Sequence, residues 1–429
     1  LLKNLSYLGY EQPTSIQMQC IPIGLQRRDI VASAPTGTGK TASFLLPTIT
    51  TMSSFRNESF KPNQKSIPLC LILCPTRELC IQTEKHAKDL SYQLPIKTAL
   101  IIGGLGLPPQ LYRLRKGVEM IIATPGRLID ILKNYSDIKL DSVGVLIIDE
   151  VDVMFQMGFI DQVLEIQRSL DKCQILLFSA TIPRKIEDLA NSMLTNPIFV
   201  SVNQSGSANS SVRQVVIWVE EPSKRKKLFQ VLNDERFYKP PMIIFVRSKT
   251  GASMLADAIE KKLGVKTLSL HADKTQIERS GIFELFLEGD YPIIVATSVL
   301  GRGIDLLNVT QVINFDMTRS VSDYVHQIGR AGRMGSSGLS VTFLNNTDKS
   351  VFRPFMRLLQ SSRVTIPPEL KKAASLQSDE KKKTHPSSSS SSSKSSKRRK
   401  FKPSANDVPF STALTTKWQE ELKNRAYRR

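Results

Sequence analysis

The chain has 429 residues, 41% of them hydrophobic and 23% charged, and a formal net charge of +20. This length allows two or three domains, and the balance of apolar and charged residues is that of soluble globular protein. Five cysteines are too few and too irregularly spaced for a disulfide framework, no Cys-x-x-Cys pair argues for zinc, and no apolar run reaches membrane length. Cys70, Cys74 and Cys80 lie in or beside an apolar run, where buried free thiols are common. Nothing resembles a secretory signal, so the expectation is a soluble protein of a reducing compartment without a membrane partner. The excess of positive charge points to a polyanion.

In chain order, the first chemical signal is residues 34–41, APTGTGKT, a Gly-x-x-x-x-Gly-Lys-Thr pattern with Ala34 in the leading position. Gly37 and Gly39 permit the tight turn that aims backbone N–H groups at phosphate oxygens. Lys40 can reach the β- and γ-phosphates, and the Thr41 hydroxyl can ligate Mg²⁺. Ala34, Pro35, Thr36 and Thr38 complete the expected nucleotide-binding loop. A helix over residues 41–46 should follow and add its N-terminal dipole.

Strand-like runs then alternate with helical patterns: 69–74 (LCLILC), 120–123 (MIIA), 143–148 (VGVLII), 174–178 (QILLF) and 199–202. The third run ends in Asp149-Glu150-Val151-Asp152. Asp149 there can hold Mg²⁺, and Glu150 can orient or deprotonate an attacking water. After residues 203–211 (NQSGSANSS), which have the composition of a flexible linker, the alternation resumes. Its runs are 215–219 (VVIWV), 242–246 (MIIFV), 267–270, 292–296 (PIIVA), 309–315 and 339–344. Continuous apolar strands between helices indicate parallel sheets covered on both faces. The expected class is therefore α/β, with two tandem domains at 1–202 and 213–368 joined by a short linker at 203–212.

Residues 324–333 read YVHQIGRAGR. Arg330 and Arg333, one helical turn apart, could both face a γ-phosphate and stabilise charge in the transferring group. Beyond residue 368 the composition turns to Lys and Ser. Residues 369–429 hold 16 Lys or Arg against 6 Asp or Glu, a net of +10. This basic tail is expected to be mostly disordered, with residues 394–402 as a candidate nuclear-import or RNA-attracting cluster. Leu414, Trp418 and Leu422 form one apolar stripe near its end.

Together these motifs resemble the DEAD-box ATP-dependent RNA helicases of superfamily 2, over residues 1 to about 368 and in the family's order. The resemblance implies two RecA-like domains that hydrolyse ATP with Mg²⁺ when RNA is bound. By it, residues 9–17 (GYEQPTSIQ) are similar to the motif whose glutamine, here Gln17, reads adenine; an aromatic that stacks on the base would fall at or before Leu1. The runs at Thr76 and Arg77, Gly103 and Gly104, and Thr124 to Arg127 match RNA-backbone motifs of the first domain. Arg247, Gln276 with Arg279, and Thr297 match those of the second. Asp152, Ser179, Thr181 and His326 match the groups that couple hydrolysis to strand separation. Gly303 and Asp305 match a segment that approaches the nucleotide.

The sequence departs from the family at Val151 for Ala, Ala272 for Gly, Ser298 for Asp, Thr318 for Pro and Gln327 for Arg. None of these removes an ATP-handling group. The wording around Leu300 is similar to a subgroup that carries a HIT-type zinc finger, which would precede Leu1. The resemblance implies RNA contacted mainly through its backbone as the partner, with protein cofactors, a monomeric state and a nuclear location as expectations. A scaffold that clamps RNA and ATP with little hydrolysis is the alternative of a different class.

Overall fold

Short apolar strands joined by helices assemble two parallel sheets. The computed structural model describes the backbone of residues 1–59, 66–202, 211–298, 309–332 and 337–383, and the side chains of these residues except 56–59 and 377–383. In the first half the elements run α1 (Leu2–Tyr7), α2 (Ser15–Leu25), β1 (Ile30–Ser33), α3 (Lys40–Ser59), β2 (Cys70–Leu73), α4 (Arg77–Leu90), β3 (Thr98–Ile101), α5 (Leu107–Lys116), β4 (Met120–Ala123), α6 (Pro125–Asn134), β5 (Val145–Ile148), α7 (Val151–Gln156), α8 (Ile160–Arg168), β6 (Gln174–Ser179), α9 (Arg184–Met193) and β7 (Ile198–Ser201). The second half has β8 (Val212–Trp218), α10 (Lys224–Leu232), β9 (Met242–Phe245), α11 (Lys249–Leu263), β10 (Thr267–Leu270), α12 (Gln276–Leu287), β11 (Ile293–Ala296), β12 (Gln311–Asn314), α13 (Val321–Ile328), β13 (Gly338–Leu344), α14 (Phe352–Ser361) and α15 (Pro368–Lys383).

The sheets have the orders β3-β4-β2-β5-β6-β1-β7 and β10-β11-β9-β12-β13-β8, with all pairs parallel. Successive side chains of a strand point to opposite faces, so each sheet feeds two apolar layers. On β2, Cys70 and Ile72 enter one layer while Leu71 and Leu73 enter the other. On β9, Ile243 and Phe245 separate from Met242 and Ile244 in the same way. This is why the strands read as unbroken apolar runs rather than as alternating ones.

The structure revises several expectations. β1 and β3 are strands that the sequence reading passed over. The helix after the phosphate-binding loop does not stop at residue 46 but continues to Ser59, because Leu45, Ile49 and Met52 keep packing into the first core. β8 begins at Val212, inside the expected linker, and residues 203–210 lie outside the described residues. The ordered body does not end at 368: α15 follows, with Leu370 and Ala374 buried against α14 and its neighbours. Residues 384–429, with the cluster at 394–402 and the stripe at 414–422, lie outside the described residues. Leu1–Asp379 form one compact unit, and no described helix is long and apolar enough to cross a membrane.

The topology divides the carboxyl edge of each sheet. In the first sheet β5, β6 and β1 are neighbours, and they lead into Asp149, Ser179 and the loop at 34–39. β3, β4 and β2 are also neighbours, and they lead into Gly103-Gly104, Thr124 and Thr76-Arg77. The second sheet repeats the division, with β10, β11 and β9 leading into Gln276, Thr297 and Arg247. Ligands of open α/β sheets bind outside the carboxyl ends of the strands, so each sheet offers one nucleotide-type and one second-ligand sector.

Candidate functional site

The phosphate-type loop is built as its glycines require. Gly37 and Gly39 have φ of +80° and +90°, a region open to glycine at little cost. Thr38 Oγ1 donates to the Pro35 carbonyl at 2.7 Å, and Thr14 Oγ1 donates to the Thr38 carbonyl at 2.8 Å. Gln17, 3% exposed, accepts from the Thr14 N–H at 2.9 Å and donates to the Gly39 carbonyl at 3.3 Å. A Cβ on Gly39 would overlap the Gln17 amide. The start of α2 and the loop are therefore locked together, and an amide donor and acceptor position of Gln17 remain for a base edge.

Lys40 opens α3, is buried, and donates from Nζ to the Ala34 and Pro35 carbonyls at 2.6 and 3.2 Å. Thr41 follows it on the first turn. Burial lowers the Lys40 pKa, opposed by Asp149, Glu150 and Asp152. Asp149 stands just beyond β5, and its Oδ1 accepts from the Glu150 N–H at 2.9 Å. Burial first, and the Glu150 charge second, push the Asp149 carboxyl up to about 7. Glu150 adopts φ 49° and ψ 54° at the N-cap of α7. That left-handed conformation costs a non-glycine residue about 1–3 kcal/mol. The Glu150 Oε2 is buried without a hydrogen-bond partner. Val151 is fully buried in the apolar layer with Ile148 and Met154, so its added methyls fill core rather than the phosphate loop.

Asp152 gathers the residues that the resemblance assigns to coupling. Its Oδ2 accepts from Thr181 N–H at 3.1 Å and Thr181 Oγ1 at 2.9 Å, and stands 3.4 Å from His326 Nε2. Ser179 Oγ donates to the Thr181 carbonyl at 2.7 Å. Burial would raise the Asp152 pKa, but His326 and Thr181 outweigh it and hold the carboxyl at about 2. His326 comes from α13 of the second sheet, so this contact joins the two halves.

Arg330 also comes from the second half. It is fully buried, and its Nε donates to the His326 carbonyl at 3.1 Å. Burial lowers its pKa and the Glu150 charge opposes this, which places the guanidinium within the field of the acidic cluster. Helix α13 ends at Ile328, because Gly329 caps it. Arg330 is thus on a turn beyond the helix. Arg333, Gly303 and Asp305 lie outside the described residues. A Cβ on Gly329 would come within 3.5 Å of Thr36 Oγ1, so the end of α13 abuts the phosphate loop.

In the other sector, Thr76 caps α4 by accepting from the Leu79 N–H at 3.2 Å. The Arg77 guanidinium lies where Cβ atoms on Gly103 and Gly104 would stand, and Gly104 has φ +80°. Arg127 donates to the Leu105 carbonyl at 3.3 Å, and Thr124 is the N-cap of α6. These backbone amides, hydroxyls and guanidiniums form one basic shelf. Thr297, at the end of β11, is buried.

Two second-half arginines expected on RNA are engaged by the protein itself. Arg279, 8% exposed, is 2.6 Å from Glu78 at the first turn of α4, an ion pair across the two halves. Arg247 pairs with Asp348 at 3.1 Å and donates to the Met317 carbonyl at 3.3 Å. Glu78 and Asp348 were missed in the sequence; adjacency to Arg77 was the available signal for Glu78. The Gln327 departure is absorbed by a buried chain in which Asn314 donates to Gln327 at 2.5 Å and Thr342 donates to Asn314 at 3.2 Å. Thr318 donates to the Ser320 carbonyl at 2.7 Å, and Ser298 and Ala272 are exposed.

The residues present fit a nucleoside triphosphate with a hard divalent cation. The loop supplies backbone donors and a lysine, and a buried, unpartnered carboxylate oxygen faces the same cluster. Among the described residues no group of three or more His, Cys, Asp or Glu could hold a metal by itself. A Mg²⁺ held by one hydroxyl and one carboxylate would complete its shell with phosphates and water, as is usual for that ion.

Family models agree with this division. The DEAD/DEAH box helicase model matches residues 14–189, and the helicase conserved C-terminal domain model matches residues 223–335. The chain is 49% identical over 369 residues to a human protein named probable ATP-dependent RNA helicase DDX59, covering 86% of this chain and 58% of that protein. It is 45% identical over 370 residues to DEAD-box ATP-dependent RNA helicase 41 of Oryza sativa subsp. japonica, covering 86% and 68%. Among solved structures it is similar to Mss116p bound to ssRNA and AMP-PNP, with TM-score 0.74, 27% identity and coverage of 85% and 75%. It is also similar to S. cerevisiae Dbp5 bound to RNA and ADP BeF3, with TM-score 0.70, 25% identity and coverage of 87% and 96%. The chain thus spans about 58% of the length of the human relative. With both family models in place and a relative matched over two thirds of its length, the chain belongs to the DEAD-box family of helicases.

Proposed function

We propose that this chain is the catalytic core of an RNA-stimulated ATPase that separates short duplexes or remodels RNA–protein complexes. The observation that carries the reading is the composite cluster in which the end of α13 meets the acids and phosphate loop of the first half: His326 Nε2 stands 3.4 Å from Asp152, Gly329 abuts Thr36, and the Arg330 charge bears on Lys40 and Glu150. Lys40 exchanges the Ala34 and Pro35 carbonyls for phosphate oxygens. Glu150, whose Oε2 has no competing partner, orients the attacking water and accepts its proton. Arg330 meets charge that develops on the transferring phosphoryl group. Thr41 and Asp149 would hold Mg²⁺, which supplies charge neutralisation between phosphates.

Thr76, Arg77, Gly104, Thr124 and Arg127 of one half and Thr297 of the other would hold RNA by its backbone, without reading bases. Asp152, Thr181 and His326 tie the RNA-ready arrangement to the nucleotide. The basic cluster at 394–402 would direct the protein to the nucleus and add electrostatic affinity for RNA. ATP hydrolysis measured with and without single-stranded RNA tests the reading. RNA-stimulated turnover is expected; ATP and RNA binding without turnover would make the chain a clamp instead.

A further inference from the structure

Helix α5 starts three residues after the Gly103-Gly104 loop and runs back along the edge of the first sheet, beside β3. Its buried side carries Leu111 and Leu114. Its outer side presents Tyr112, 66% exposed, with Arg113, Arg115 and Lys116. Lys116 Nζ stands 5.9 Å from the centre of the Tyr112 ring, and Arg115 stands 5.8 Å from that of Tyr135 at the end of α6. Arg115 is neutralised by Asp137 at 2.8 Å. Arg113 donates to the Thr98 carbonyl at 2.8 Å and keeps its charge, and among the described residues neither it nor Lys116 forms an ion pair with an acid.

An exposed ring with one uncompensated cation beside it and a second on the same helix is the chemistry that holds single-stranded nucleic acid: the ring stacks on a base and the cations meet phosphates. Lys116 is four residues after Tyr112 and three after Arg113, both neighbour spacings on a helix, so it stands between the ring and the second cation. The ring is also continuous with the basic shelf. Tyr112 is six residues beyond the Gly106 cap, about 9 Å along the axis at 1.5 Å per residue.

We propose that the outer face of α5 extends the RNA track, so that single-stranded RNA overrunning the shelf stacks a base on Tyr112 and sets phosphates against Arg113 and Lys116. The proposal rests on the reading of the shelf as an RNA site. It gives the enzyme a preference for RNA with a single-stranded extension on the first-domain side, without involving the nucleotide site.

The test compares full-chain affinity for oligouridylates of about six and about twenty nucleotides, a range that brackets one binding groove. The comparison is repeated across a salt series with Tyr112→Ala, Tyr112→Phe and Lys116→Ala. The wild type should favour the longer oligonucleotide. Tyr112→Ala should lose about tenfold in affinity for it alone, while Tyr112→Phe retains the preference, as stacking requires. Lys116→Ala should reduce the salt slope for the longer RNA by about 0.7, one counterion's worth on a single strand. Unchanged affinity for the shorter oligonucleotide certifies that the variants are folded. A wild type without length preference, or a Tyr112→Ala protein that keeps it, overturns the proposal. A wild type that binds neither oligonucleotide fails at the shelf, which is a separate result and removes the extension with it.

Discussion

The two halves share one sheet layout but engage their charged groups differently. In the first, the nucleotide-directed residues are held by their own half: Lys40 by loop carbonyls, Gln17 by Thr14 and Gly39, and Asp149 by the Glu150 amide. In the second, the corresponding groups reach across, Arg330 toward Glu150, His326 toward Asp152 and Arg279 to Glu78. On the proposed function, the first half binds and the second responds to what is bound. Affinity and turnover should therefore separate when single residues are changed.

The sharpest break of this comparison is Arg330→Ala. It removes a second-half cation that acts on developing charge, so turnover should fall about 10³–10⁵-fold. ATP affinity should hold, because the ground-state contacts are those of the first half. Single-turnover hydrolysis beside fluorescent-nucleotide binding checks this, and parallel losses in both would unite the two halves in binding. Glu150→Gln keeps the shape of the side chain but not its basicity. Hydrolysis should drop by about 10²–10⁴-fold while RNA and ATP are retained together. Full activity in that variant would remove Glu150 from proton transfer.

The ion pair between the halves comes next. Removing one partner of a buried pair costs about 3–5 kcal/mol, whereas replacing both by neutral groups costs far less. Glu78→Gln or Arg279→Met alone should therefore weaken ATP-dependent RNA binding, and the double variant should recover much of the loss. Additive losses in that cycle would show that Arg279 acts on RNA independently of Glu78. Gln17→Ala should have a smaller effect, about tenfold in ATP affinity, with preference for ATP over GTP lost. Equal use of both nucleotides by the wild type would contradict a base-reading role. Deleting residues 384–429 should change least: RNA affinity falls at low salt and the salt dependence flattens, because fewer counterions are released. Titrations at a range of ionic strengths measure it, and an unchanged slope would take RNA contact away from the tail.

Much of this was legible because the chemistry is local in the chain. The loop at 34–41 needs glycines, a lysine and a threonine in consecutive positions, and the acids of 149–152 end an apolar strand. Two series of unbroken apolar runs announced sheets covered on both faces. β1 (IVAS) and β3 (TALI) were not read although they are as long as β4 (MIIA), which was; the phosphate loop itself implied a strand before it. The spacing of Arg330 and Arg333 is helical in the sequence, but Gly329 ends α13 one residue before Arg330, and Arg333 lies outside the described residues.

What the sequence determined by itself was the set of reactive groups and the two-sheet architecture, since periodicity and contiguous motifs are short-range properties. Only the tertiary structure decided how those groups are shared. Arg279 is 201 residues from Glu78, and Arg247 is 101 from Asp348. Each arginine reads in sequence as an exposed cation for RNA. Their pairing follows from which strand ends the parallel crossovers bring to one edge, and from the strong pull of a buried carboxylate on a nearby guanidinium where water is excluded.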